Sequence, residues 1–172
     1  MPQDDPPVTA LSPVYAAGTA LVDLGTAELF VVTVLRLWAD PAPPADWPGG
    51  FRAAGAAAGG APAFGALMWI VGSAACRPLD VRARRCPELG RDEGMLLRLI
   101  SLLQRDRPVE AAAVLAEWLP PAAVRLAARE AQTLAAALAE AGLVVPLRHA
   151  EAAAAFRLAA CAHATPGLVL LQ

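Results

Sequence analysis

The sequence predicts an all-α fold, a single compact bundle of five to seven Ala-rich helices. A minor two-stranded pairing near the C-terminus is the only β feature it suggests. Three observations carry this expectation. Apolar residues make up 57% of the 172 residues and charged residues 17%, against roughly 25% charged in ordinary soluble domains. Apolar positions recur at spacings of three and four in several segments, the period of one helix face. Pro and Gly clusters punctuate the chain between those segments. The length supports one domain with a substantial core. Residues 1–11, acidic and Pro-rich, are expected as a disordered tail. Residues 12–172 are expected as one helical domain with a Pro/Gly loop at 40–50.

The first helix is expected from Ser12-Pro13, with Ser as N-cap and Pro in the first turn, to Trp38 or Ala39. Its apolar seam is Leu21, Leu24, Val31, Leu35 and Trp38. The run Phe30 to Val34 is β-branched enough for a strand, but it continues a pattern longer than an ordinary strand. Residues 40–50, DPAPPADWPGG, cannot sustain a helix and read as a loop anchored by Trp47. Phe51 to Gly60 reads as a short weak helix, and Pro62 to Cys76 as a better one burying Phe64, Leu67, Met68, Ile70 and Val71.

Arg77 to Arg91, with Pro78, Pro87 and Gly90, reads as a loop. Asp92 and Glu93 open the next helix, where their charges suit its positive end. That helix buries Leu96, Leu99, Ile100 and Leu103, and places Arg91, Arg98 and Arg105 on a solvated face. Pro108 to Leu119 follows, stopped by Pro120-Pro121. A longer helix runs from Pro121 to Ala141, with Gly142 as its stop. Its seam is Val124, Ala127, Ala131, Leu134 and Leu138, opposite Arg125, Arg129 and Gln132. Leu143 to Val145 is expected as a brief strand or an extended tail. Ala150 to Ala162 is a last Ala-rich helix, ended by Pro166-Gly167. The tetrads at 142–145 and 167–170 are alike, which is the basis for the C-terminal pairing.

Composition excludes several function classes. A mostly disordered chain is poorer in apolar residues. Three cysteines cannot staple a secreted disulfide scaffold. A net charge of −2 argues against a generally basic nucleic-acid binder. All 14 basic residues are Arg, and Lys and Asn are absent, which has the stamp of a GC-rich genome rather than of function. The acidic N-terminus lacks the basic and apolar regions of a secretory signal, so a cytoplasmic setting is expected. Residues 53–76 carry no charge and are long enough to span a bilayer. Only 64–76 is strongly apolar, so a buried core helix is expected in preference to a membrane segment. Asp23 and Glu28 interrupt the apolar stretch of the first helix, which also favours a core helix there.

Three constellations are candidates for chemistry. Arg77, Arg82, Arg84, Arg85 and Arg91 crowd one loop beside a helix N-terminus, an arrangement that can grip an anion or an acidic partner. The competing reading is a solvated loop whose arginines pair with Asp80, Glu88 and other acids. Cys86 stands among arginines near that same helix start, where a thiol is open to activation. With Cys76, Cys161, His149 and His163 it forms a candidate metal set, in which Cys161-Ala-His163 is the only tight pair and Cys86, Cys161 and His163 are the candidate ligands; the competing reading makes Cys76 and Cys161 small core fillers. Glu28 falls inside an apolar seam; it reads as a boundary carboxylate paired with an Arg, and otherwise as a desolvated acid or base. No phosphate-binding Gly loop, zinc-protease or nucleophile-elbow motif is present. Trp38, Trp47, Trp69 and Trp118 are too scattered in sequence to suggest a stacking platform.

The segment Arg77-Pro78-Leu79 followed by Cys86-Pro87-Glu88-Leu89-Gly90-Arg91-Asp92-Glu93 resembles a family of small uncharacterised helical proteins of GC-rich alphaproteobacteria. There an apolar helix ends in R-P-L and a turn reads C-x-x-L-G-x-D-E. The resemblance covers about residues 15 to 145, its specific part being that short segment. It implies a helical fold and a bacterial origin. Some members carry further Cys or His in the turn, where this chain has Arg82, Arg84 and Arg85, so no metal role carries over.

The expected function is therefore non-enzymatic: helix-mediated interaction, by self-association or by docking on a larger bacterial complex. Few charges on Ala-rich helices leave apolar surface in need of cover. The expected partner is a protein or a second copy, with no nucleic acid, no cofactor and no catalytic residue. The alternatives are a metal- or redox-active protein using Cys86 with a His, and an anion-binding protein using the loop at 77–91. Membrane association is the least favoured reading.

Overall fold

A computed structural model describes Tyr15, residues 18–40 and residues 46–148. Within them the chain folds as six α-helices. They are α1 (Thr26–Ala39), α2 (Trp47–Ala53), α3 (Gly60–Ala74), α4 (Arg91–Leu103), α5 (Pro108–Ala116) and α6 (Pro121–Glu140). No strand forms among the described residues; the one β feature is an isolated bridge between Ala20 and Glu88. No helix among them is long and apolar enough to cross a membrane.

α4 is the centre of the bundle. Leu96, Leu97, Leu99, Ile100, Leu102 and Leu103 are buried over more than half of its circumference, with α1, α5 and α6 packed about it. A helix with so wide an apolar face is stable only when several neighbours cover it. α3 lies antiparallel along α6. Gly60, at the start of α3, abuts Ala137 near the end of α6. The exit from α3 is fixed by the Cys76 N–H, which donates to the Trp118 carbonyl at 2.8 Å, just before α6. The buried side of α6 is mostly Ala127, Ala131, Ala135 and Ala137, whose small side chains let the helix axes approach. α1 runs in the same direction as α3. Its early Phe30 meets Phe51 at 5.3 Å between ring centroids, and its late Trp38 lies over Gly72 of α3.

α1 ends at Ala39 as expected, and the chain departs from the sequence expectation before that helix and in the loop after it. That helix starts at Thr26 rather than at Pro13; residues 12–14 lie outside the described residues. Gly18 takes a left-handed φ of +76°, and Leu21–Asp23 forms only a 3-10 turn. The stretch before α1 is held by the later loop instead. Leu21 N–H donates to the Pro87 carbonyl and Leu89 N–H to the Thr19 carbonyl, both at 2.8 Å. After α1, the expected loop at 40–50 contains the start of α2. Asp46 caps it, its carboxylate accepting the Gly49 N–H at 2.8 Å. Pro48 falls in the first turn, where a missing N–H costs nothing. Residues 41–45 lie outside the described residues.

The remaining helices keep close to the pattern. Pro62 is tolerated in the first turn of α3. α5 ends at Ala116, so Trp118 and Leu119 are buried from the turn that follows it. α6 ends in a Schellman motif: Leu143 N–H reaches the Leu138 carbonyl, Gly142 N–H reaches that of Ala139, and Gly142 sits at φ +75°. Leu143 to Val145 is an extended tail rather than a strand. The Gln104 side chain stands in for a neighbouring strand, accepting the Val145 N–H at 2.8 Å and donating to the Leu143 carbonyl at 2.9 Å. The possible partner tetrad at 167–170, the tail at 1–11 and the helix expected at 150–162 lie outside the described residues.

Because α4 is enclosed, truncation there must open a cavity. Ile100→Ala is expected to cost about 2–5 kcal/mol in denaturant unfolding. Leu126→Ala, at a side chain 65% exposed on α6, is expected to change stability by less than about 0.5 kcal/mol.

Candidate functional site

The Arg-rich loop is folded onto the start of α4 by two adjacent carboxylates. Neighbouring helix positions point about 100° apart, so Asp92 and Glu93 reach different elements. Glu93, fully buried, receives both Nε (2.7 Å) and Nη2 (2.8 Å) of Arg36 from α1. It also accepts the N–H groups of Gly90 (2.7 Å) and Arg82 (3.0 Å). Arg36 spends its other N–H groups on the loop backbone: Nη1 on the carbonyls of Cys86 (2.6 Å) and Ala83 (3.3 Å), and Nη2 on that of Glu88 (2.7 Å). Its bonds to Glu93 raise its pKa against the opposing effect of burial. Asp92 accepts both Nη atoms of Arg77 at 2.8 and 2.6 Å, the Trp118 Nε1–H at 2.9 Å and the Asp80 N–H at 2.6 Å. Burial pushes the Asp92 carboxyl up, but these donors outweigh it and hold the pKa below the ordinary value.

The five predicted arginines are thus brought to one end of the bundle with different occupations. Arg77 is committed to Asp92. Arg82 faces Asp80 at 3.3 Å, Arg84 faces Asp40 at 2.8 Å, and Arg91 faces Glu117 at 3.2 Å. Arg85 is exposed. Four of the five therefore have a carboxylate within the chain. Only Arg77 makes its pair around a buried acid; the other three pairs are on the surface, where such contacts contribute little. On the expected solvated face, Arg105 bends back to donate to the carbonyls of Ser101 and Val145, both at 2.8 Å.

The cysteines separate. Cys76, expected as a core filler, is exposed, because α3 ends at Ala74 and leaves it in the turn. Cys86 is half-buried, and its backbone carbonyl serves Arg36. Cys161, His149 and His163 lie outside the described residues. Among the described residues no three His, Cys, Asp or Glu side chains come together as a metal-ligand set.

Glu28 has the Arg partner that its position called for. It is fully buried and accepts Nε (2.7 Å) and Nη2 (2.8 Å) of Arg148. The Tyr15 hydroxyl donates to it at 2.7 Å and the Gly25 N–H at 2.7 Å. Arg148 also stands 5.5 Å from the Tyr15 ring centroid. Burial alone raises the Glu28 pKa, but Arg148, Tyr15 and the Gly25 N–H reverse this and hold it low. Burial, reinforced by Glu28, raises the Tyr15 pKa, so its hydroxyl stays protonated. The carboxylate accepts four donors, which join the segment before α1, the start of α1 and the chain after α6.

Arg36, Tyr15, Arg148 and Trp69 were not singled out by sequence reasoning. A signal existed for the first. Gly-x-x-Glu occurs at 25–28 and again at 90–93, each Glu capping the Gly N–H at the start of its own helix. Arg36 lies eight residues after Glu28, on the same inward face of α1. No comparable signal marks Trp69, which is 71% exposed on α3. Its neighbours along that outer stripe, Pro62, Gly72 and Ser73, are exposed too. The rings of Trp47 and Trp38 fill the notches left by Gly65 and Gly72 on either side of it. Three of the four tryptophans, Trp38, Trp47 and Trp69, therefore lie along one flank, while Trp118 is buried against Asp92.

The fold and its three buried carboxylates, each paired with an Arg, define a compact helical bundle. No family model, curated protein or solved structure matches the chain.

Arg36→Leu is expected to destabilise the protein by about 3–5 kcal/mol in denaturant unfolding, because Glu93 is left buried without its countercharge. Arg84→Ala is expected to cost no more than about 1 kcal/mol. The depressed pKa values of Glu28 and Asp92 stabilise the fold fully at pH values above the ordinary carboxylate range. That contribution is lost as pH falls through the depressed folded values. Unfolding free energy measured from neutral to acid pH should fall through this window, and Asp92→Asn should flatten the fall.

Proposed function

We propose that this chain is a non-enzymatic helical interaction protein that self-associates through the outer face of α3. The observation that carries the reading is Trp69, 71% exposed in the middle of that helix. Tryptophan is the side chain that most often anchors a protein interface. Its surroundings suit it for contact: the whole stretch from 53 to 76 is free of charge, so no ionised group has to be desolvated when the face is covered. An uncharged face is matched by an uncharged face, and a second copy supplies one by symmetry. Docking of the same face on a larger complex is the other form of this reading, and a cytoplasmic setting accords with both.

The Arg-rich loop is the weaker contact candidate, because most of its guanidinium groups already face carboxylates of the chain. The strip offered by α3 is about 22 Å long and 10 Å wide, near 220 Å² in projection. A stable interface takes about 800 Å² from each partner, so the association is weak and concentration-dependent.

Sedimentation velocity over a wide concentration range tests this. The wild-type chain should show a rising weight-average sedimentation coefficient, and Trp69→Asp should remain monomeric with an unchanged melting temperature. Replacing Arg82, Arg84 and Arg85 by Ala should leave the association intact. A wild-type chain that stays monomeric throughout, with no protein co-purifying from its native host, overturns the reading.

A further inference from the structure

We propose that the surface receiving Trp69 is α6 of a second copy, where the indole sits between Leu126 and Arg129. This arrangement rests on the reading of α3 as the contact face and specifies what that face meets. It follows from the register of α3 against α6 and from the side chains that the register brings level.

α3 and α6 are antiparallel neighbours, with Gly60 against Ala137 and Gly59 against Thr133. Both helices rise by the same amount per residue. Trp69 lies nine residues beyond Gly60, and Ala128 lies nine residues before Ala137, so Trp69 and Ala128 are level. Leu126 and Arg129 stand on either side of that level. Leu126 shares a helix row with Thr133 and Ala137, the row that borders α3. Arg129, three positions on, is its neighbour on the helix surface. Both are exposed, and Arg129 takes part in no ion pair among the described residues. α3 and α6 thus present a surface two helices wide, with Trp69 on one and Leu126 beside Arg129 on the other.

A second copy matches this surface through a two-fold axis that runs parallel to the helices, between α3 and α6. Such an axis lays α3 of each copy on α6 of the other and leaves their levels unchanged. Each Trp69 then meets Leu126 for apolar contact and the Arg129 guanidinium for its ring face, a pairing in which cation and ring attract. A two-fold axis across the helices at Trp69 would stack indole on indole. Because the levels coincide, it would also set Arg129 against Arg129, and like charges facing each other repel. Charge therefore selects the parallel axis. Area supports the same choice of partner. Two helices offer near 440 Å² in projection, against about 220 Å² for α3 alone, which is closer to the roughly 800 Å² of a stable interface.

The test is a charge exchange across the contact, read by sedimentation velocity on the full chain. Trp69→Asp and Leu126→Arg are measured alone and as an equimolar mixture, with melting temperatures checked by circular dichroism. Each variant alone should stay monomeric where the wild type associates. In the mixture, Asp at 69 of one copy faces Arg at 126 of the other, while the second contact keeps its native Trp69, Leu126 and Arg129. The mixture should therefore associate at least about tenfold more tightly than either variant, as two hydrophobic-to-charge mismatches are replaced by one ion pair and one native contact. Leu126→Arg that associates like the wild type, while Trp69→Asp does not, overturns the crossed arrangement and leaves the reading of α3 standing. Two monomeric variants whose mixture is also monomeric overturn the arrangement as well. A wild type that is monomeric throughout overturns both. Should either variant fail to fold, Arg129→Gln decides: association weakened about tenfold, from two equivalent cation–ring contacts each worth roughly threefold, upholds the arrangement, and unchanged association overturns it.

Discussion

The buried pair between Arg36 and Glu93 is the interaction on which the rest of this architecture hangs. A guanidinium taken out of water is tolerated only if every donor finds an acceptor. Arg36 meets that demand with one carboxylate and three backbone carbonyls. Those carbonyls belong to Ala83, Cys86 and Glu88, so satisfying the charge also dictates the path of the loop. The loop in turn carries Pro87 and Leu89, which hold the chain ahead of α1 by backbone hydrogen bonds. One ion pair thus ties α1, the loop, the start of α4 and the segment before α1 into one arrangement. Buried pairs of this kind contribute less to net stability than to uniqueness of structure, since the desolvation of both charges offsets much of their attraction.

Asp92 extends the same logic to the opposite flank. It gathers Arg77 from the loop, the Asp80 backbone and the indole of Trp118 from the turn after α5. Two consecutive acids at a helix N-terminus would ordinarily repel each other. Here the α4 dipole favours both, and each has its own guanidinium. The Glu28 centre repeats the device at the far end of α1, where Arg148 and Tyr15 close over the carboxylate. The acids that sequence reading marks as candidates for acid–base chemistry or dipole matching are consumed in fixing elements of the fold.

This division explains where contact with another surface is available. The charged end of the bundle is largely self-satisfied. The uncharged flank along α3 is not, because α6 and the α1–α2 aromatics cover only its inner and lateral sides. Trp38 and Trp47 fill glycine notches and are partly buried there, whereas Trp69 faces outward. The physical asymmetry lies between a pole where most charged groups are paired within the chain and a flank where Trp69 stands exposed.

What the sequence determined by itself follows from local physics. Apolar spacing located α3, α4 and α6, Gly142 marked the end of α6, and the Pro/Gly-rich loop before Asp92 marked the start of α4, because periodicity, proline and glycine act within a few residues. The sequence also placed Glu28 on a buried seam and anticipated an Arg for it. The tertiary structure alone decided which Arg, since Arg148 lies 120 residues away. It also decided that Arg36 belongs to Glu93, that the stretch before α1 pairs with a loop instead of extending the helix, and that Cys76 is exposed. Pairing at such separations depends on how helices are arranged in space, and no local propensity encodes that arrangement. The same holds for Trp38, Trp47 and Trp69, dispersed along the chain and assembled on one flank only when α1, α2 and α3 come together.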